Sequence, residues 1–232
     1  MQILRSLLAL VLLIGLTLGI RYVVTKPIRE VSEPTAVNAP VTPPSTPTSG
    51  SETAFFYPMT RYAERLTNRW HGKEIGRMDR LGLPCGDFFD GFHVGDDLEV
   101  FPEELSQEVP VFAITDGIVR QHEAVNGYGG LLAIEYTLNG QQVTAYYGHI
   151  DVGQSKLEEG DTVTAGKQIA VLGDHCSPET SNERKHLHFS IHNDPEIDVR
   201  GYVESTQELE AWTNPRELLR GLGAEEPGRG SR

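Results

Sequence analysis

Along most of its length the chain alternates short apolar runs with turn signals, and the runs are too short and too β-branched to be helices. They fall at residues 92–100, 109–114, 117–121, 131–138, 142–147, 168–172 and 187–191, separated by Asn126-Gly127, Asn139-Gly140 and Glu159-Gly160-Asp161. Regular spacing of this kind predicts an all-β fold, an antiparallel sandwich or barrel-like sheet. Helical periodicity is confined to residues 61–66 and 215–222, and no internal repeat is apparent. Tyr146 and Tyr147 read as strand aromatics, one facing inward and one outward.

The N-terminus follows a different pattern. Residues 6–20 carry no charge and lie between Arg5 and Arg21. The run is short for a spanning helix of ~20 residues, but Ile3, Leu4, Tyr22, Val23 and Val24 extend it if the arginines snorkel. Its length also suits the apolar core of a signal peptide, although no A-x-A cleavage site follows. Residues 1–25 are therefore expected to be a signal anchor in preference to a cleaved signal peptide. Arg21, Lys26 and Arg29 follow the run, so a positive-inside count does not by itself send the remainder outward. Residues 26–53, rich in Pro, Thr and Ser, are an expected extended linker without a core. About twenty such residues would reach ~60 Å at ~3.1 Å each. A folded domain is expected over 54–222 and a disordered tail over 223–232.

The chain has 232 residues, enough for one domain with appendages, and a formal net charge of −13. That balance lacks the basic footprint of a nucleic-acid partner.

Candidate chemistry lies in His186-Leu187-His188 and in His93-Val94-Gly95-Asp96-Asp97. On a strand His186 and His188 share a face, so one can be a metal ligand with the other uncoordinated beside it. Residues 93 and 97 of an extended strand would stand ~13 Å apart. Two ligands of one zinc lie only ~3 to 4 Å from each other. The chain must therefore bend between them, and Gly95, free of the Cβ that forbids positive φ, permits it. Either Asp96 or Asp97 could then face inward. Two histidines and one carboxylate leave a fourth zinc position open, as in catalytic sites. Tyr147-Gly148-His149 adds a further histidine at the end of a β-forming run.

These pieces, in this order, with Val109-Pro110-Val111-Phe112-Ala113 and residues 159–169 between them, resemble the lysostaphin-type (LytM-like) zinc metallopeptidases, which cut the peptides of bacterial peptidoglycan. The resemblance spans roughly residues 90 to 192, with fainter echoes at Tyr57-Pro58 and Asn214-Pro215. It implies His93, Asp97 and His188 as ligands of one zinc ion, choosing Asp97 over Asp96, and His149 and His186 as unligated catalytic histidines. It also implies the duplicated hybrid motif fold and a zinc endopeptidase acting on stem peptides or cross-links. Such a protein would be a monomer in the cell envelope outside the cytoplasm, held to the cytoplasmic membrane by its N-terminal helix or secreted after cleavage. Residues 174–185 depart from the small Gly/Ser/Thr-rich loop usual before the H-x-H, and residues 194–212 are an insertion with no assigned role.

Other readings explain less. A catalytically silent wall-binding module or hydrolase activator would have lost ligands. An iron oxygenase with two histidines and a carboxylate would leave the H-x-H unexplained, and a structural zinc would have four protein ligands. No H-E-x-x-H helix is present. Cys85 and Cys176 could pair across the rim of the implied cleft or remain thiols; a second metal held with His175 has no supporting spacing. His71, His122 and His175, and the acidic residues Glu103, Glu104 and Glu108, are expected to be solvated, and His192 lies ~13 Å along the strand from His188.

Overall fold

A computed structural model of the chain describes residues 53–76, 85 and 89–228. The expected anchor or signal, all of the expected linker except Thr53, and residues 229–232 lie outside the described residues. Among the described residues no helix is long and apolar enough to cross a membrane.

Twelve strands and three short α-helices, with two 3-10 turns at Pro102–Glu104 and Pro178–Thr180, follow one another in the described residues. Helix α1 (Tyr62–Arg65) precedes β1 (Glu74–Ile75), β2 (Gly91–His93), β3 (Gly95–Glu99) and β4 (Pro110–Phe112). Then come the long strands β5 (Gly117–Val125), β6 (Gly129–Leu138) and β7 (Gln141–Gly148), followed by β8 (Thr162–Val163), β9 (Gln168–Val171) and β10 (His186–His192). The chain ends through β11 (Tyr202–Val203), α2 (Thr206–Leu209), β12 (Trp212–Thr213) and α3 (Pro215–Gly221).

All strand pairs are antiparallel. The main sheet runs β12-β10-β7-β6-β5-β8, with β3 also paired to β10; β1-β2-β11 and β4-β9 form two smaller sheets. The all-β expectation holds at this level, but the main sheet does not close into a barrel among the described residues. At its two ends the sheet is bordered by the two-residue β8, paired with the start of β5, and by β12 and the five-residue β3, which share β10. The Asn139-Gly140 turn joins β6 to β7 with φ of 52° and 82°, the paired positive φ that suits a two-residue hairpin.

Apolar residues cover both faces of the main sheet. One face carries Leu98, Ile134, Tyr147, Leu187 and Phe189; the other carries Val94, Leu131, Ala133, Tyr146, Val203 and Trp212. Tyr146 therefore does not face solvent: it is as fully buried as Tyr147. The reason is the 194–212 insertion, whose Val203 and Trp212 pack on that face with Leu209 and Ala211. Burying one such large apolar side chain stabilises the fold by ~1.5–3 kcal/mol. The buried Tyr136 and Tyr147 hydroxyls satisfy each other at 2.8 Å.

The expected tail does not trail away over its described part. Glu225 bridges to Phe56, and the Glu226 carboxylate accepts from the Arg61 amide. Helix α3 starts at an Asn214 cap that accepts from the Glu217 amide, with Pro215 in its first turn.

Candidate metal centre

His93 ends β2, in the small sheet, whereas Asp97 sits in β3 against β10, in the main sheet. The chain changes sheets between them, and this shortens the separation of an extended strand to 3.1 Å between His93 Nε2 and Asp97 Oδ1. Gly95 does not supply a positive φ there. Its contribution is the missing side chain: a Cβ would lie 2.4 Å from the Phe189 carbonyl oxygen, so only glycine lets β10 approach so closely.

Strand alternation then separates the two aspartates. Asp96 turns away, accepting from the Tyr62 hydroxyl at 2.6 Å and from the His71 amide at 2.9 Å. Asp97 lies directly across the ladder from His188. Gly148 faces His188 on the other side, where a Cβ would come within 2.3 Å of the Tyr128 ring.

Three donor atoms converge here. His93 Nε2 and His188 Nδ1 are 3.0 Å apart, and each is 3.1 Å from Asp97 Oδ1. Atoms bound at ~2.0–2.2 Å in a tetrahedral shell stand only a little farther apart than this, so the residues present fit one zinc ion. Burial pushes His188 down to about 4, which leaves a ring nitrogen free of competing protons at neutral pH. Burial alone would raise the Asp97 carboxyl, but the facing His93 and His186 rings and the Arg184 guanidinium outweigh it and hold it well below the usual carboxylate range.

The second oxygen of Asp97 is occupied differently. Oδ2 accepts from Arg184 Nη2 at 2.7 Å and lies 3.3 Å from His186 Nε2. Arg184 also donates to both oxygens of Glu99 and is itself buried. The arginine thus pins the Asp97 carboxylate so that Oδ1 alone turns to the two histidines. His186 Nδ1 donates to the Arg184 carbonyl at 2.7 Å, which fixes its ring and aims Nε2 toward the cleft side of Asp97.

His149 follows the last residue of β7 with a left-handed φ of 64°. Its amide donates to the Tyr128 carbonyl and its carbonyl accepts from the Gly173 amide, so the conformation is held from both sides. The ring lies 4.4 Å from that of His186, and its Nδ1 has no partner among the described residues. Burial, reinforced by the His186 and His188 rings, pushes His149 well below the ordinary histidine value.

The five sequence candidates therefore meet in one place, on a cleft of about 230 Å³ that Arg69, Phe89, Tyr128 and Tyr202 also line. Of the five, His93 alone does not line that cleft, lying behind it against the Tyr202 ring at 5.1 Å. Four residues at this site escaped sequence reasoning: Arg69, Tyr128, Arg184 and Tyr202. Arg184 had a signal, since it shares parity with His186 and His188; the other three had none in local pattern.

The remaining histidines are mostly not solvated as expected. His71 Nε2 lies 3.2 Å from the Trp212 carbonyl, and His122 Nδ1 lies 2.7 Å from that of Leu157, because the insertion and the 153–160 loop fold over them. Glu104 likewise leaves the expected solvated cluster and accepts from Arg65 Nη1 and Nη2 at 2.7 and 2.8 Å. Cys85 and Cys176 are joined in a disulfide, so neither offers a thiolate to a metal beside His175.

Several solved structures are similar to this chain. They include LytU (24% identity, 74% of this chain and 92% of that one, TM-score 0.44), CbpA from L. salivarius REN (15%, 73% and 96%, 0.45) and a zinc-containing peptidase from Vibrio cholerae (22%, 64% and 41%, 0.43). No curated protein matches. Residues 92–199, which contain all five histidine and aspartate candidates, match the family model described as peptidase family M23, and it is to this family that this part of the chain is similar.

Proposed function

We propose that the chain is a zinc-dependent endopeptidase that hydrolyses peptide bonds in peptidoglycan stem peptides or cross-links. The observation that carries the reading is the convergence of His93, Asp97 and His188 within 3.1 Å of one another, with the His149 and His186 rings beside them. The match of residues 92–199 to a peptidase family supports it. A silent binding module would have no use for such a ligand set and its two extra histidines.

His93, Asp97 and His188 would hold zinc, which when bound polarises a carbonyl and brings the pKa of water to ~7. The protein's own groups do the rest. His149 and His186 face the cleft side of the ligand triad, where a neutral imidazole can take a proton and the second can deliver one to the departing amine. Arg184 holds Asp97 ionised and occupies its Oδ2, leaving Oδ1 toward His93 and His188. Tyr128, with its ring 5.3 Å from that of His188, closes one wall of the cleft against water. The export that such a substrate requires fits an anchored domain, with the 6–20 apolar run in the cytoplasmic membrane and the Pro-rich stretch as its spacer.

The assignment of ligands and catalytic histidines is tested by two variants. His188→Ala should lose both zinc, measured by atomic emission on the dialysed protein, and activity. His149→Ala should retain stoichiometric zinc while losing turnover, typically by ~10²–10⁴-fold. Equal loss of zinc in the two would contradict the roles.

A further inference from the structure

Arg69 is the one buried cation of the described residues with no carboxylate within ion-pair distance. Arg65 is paired with Glu104, Arg184 with Asp97 and Glu99, and Lys185 with Asp174. Arg69 is as deeply placed as these, only 6% exposed, yet its guanidinium makes a single bond, from Nη1 to the Tyr202 hydroxyl at 2.8 Å. A guanidinium has five N–H donors, and a buried charge without a counter-ion is costly to the fold. Such a cost is expected where a site is built for an anionic ligand.

The location says which ligand. Arg69 and Tyr202 line the same cleft as Asp97, His149, His186 and His188. The Arg69 carbonyl accepts from the Asp97 amide at 2.9 Å, which fixes the arginine's backbone beside a candidate ligand. Tyr202 pairs with His93 across β11 and β2, and its ring is stacked on Phe89 at 5.0 Å. Because its oxygen accepts from Arg69, its own O–H remains free to donate. The other arginine at the mouth, Arg200, is already engaged by Asp198 and is half-exposed, so it is not the equivalent group.

We propose that Arg69 and Tyr202 form a carboxylate-binding subsite, and that the preferred substrate is an acidic peptide with a free carboxylate within about one or two residues of the scissile bond, at ~3.5 Å per residue. The planar fork of arginine suits a carboxylate, and the tyrosine hydroxyl adds a further donor. The proposal rests on the peptidase reading and names the substrate class of that same cleft. It also gives the insertion a purpose, because Tyr202 belongs to it.

The test uses the full-length zinc-loaded chain and cross-linked muropeptides in two forms, as released and after conversion of their carboxylates to carboxamides. Affinity is read by titration calorimetry in a His149→Ala background, and cleavage is read separately with His149 intact. The free-acid form should bind about tenfold or more tightly than the amidated form, as a charge-assisted pair allows. Arg69→Gln should bring the two forms to similar affinity, and Arg69→Lys should keep only part of the preference. The melting temperature of Arg69→Gln should equal or exceed that of its parent, since an unpaired buried charge is removed. Equal affinity for the two forms, or a preference that survives Arg69→Gln, would overturn the subsite. So would loss of zinc and of thermal stability in Arg69→Gln, which would mark the residue as a support for Asp97. A carboxylate preference without cleavage would instead contradict the peptidase reading and leave the subsite standing.

Discussion

Arg184 and His188 show how single side chains set the chemistry available here. Arg184 fills one oxygen of Asp97 so that the other is presented to two histidines, an outer contact of the kind that orients a metal ligand. Arg184→Met should therefore weaken zinc binding ~10–100-fold, measured by competition with a chromophoric chelator, with little change in the strand content seen by circular dichroism. The depressed His188 gives a pH dependence with a definite sign. Its folded value of about 4 lies below the ~6.5 of an unfolded histidine, so between these limits the unfolded chain binds the proton and the folded one does not. In the metal-free chain stability is full above pH ~6.5 and is lost toward pH ~4, by up to ~3 kcal/mol from this residue alone. His149 and Asp97, both depressed, add loss in the same direction. Denaturant melts of the chelated protein at pH 7 and pH 4.5 would check this, and His188→Ala should flatten the slope.

At the scale of elements, the site depends on segments that bring few residues of regular structure. β11 and β12 are two residues each, yet they carry Tyr202 to the cleft and Trp212 onto the outer face of the sheet. Two-residue strands leave no alternation to read, and this is why residues 194–212 had no role from sequence. The H-x-H strand was legible because parity alone puts both histidines on one face. The bend at 93–97 was legible in its necessity and not in its cause: the chain changes sheets, and Gly95 serves close approach. Arg69 and Tyr202 meet across 133 positions, and no local pattern encodes such a contact. The Cys85–Cys176 bridge closes a separation of 91 residues, holding the loop before β10 to the segment before β2. Replacing Cys176 by Ser should cost about 2–5 kcal/mol by urea melts under oxidising conditions. The same variant in reductant should differ little from the reduced parent.

For the whole molecule, the balance of charge and the position of the cleft belong together. The chain carries a formal charge of −13, yet Arg69, Arg184 and Arg200 all lie at or beside the cleft. Net charge could not reveal that Arg69 and Arg200 line the cleft together with Asp97 and Glu183, which depends on which residues the fold gathers. The all-β architecture and the five candidates at its centre were readable from apolar runs and motif order. The open sheet and the second apolar face were not, since both follow from how the insertion packs. The central claim, that this cleft cuts wall peptides with zinc, is tested most directly by incubating purified sacculi with the full-length zinc-loaded chain. The products are scored by mass for new amino termini against new reducing sugar ends. The account predicts new amino termini that disappear with a chelator and return with zinc; new reducing ends alone, or no products from a folded and zinc-loaded chain, would contradict it.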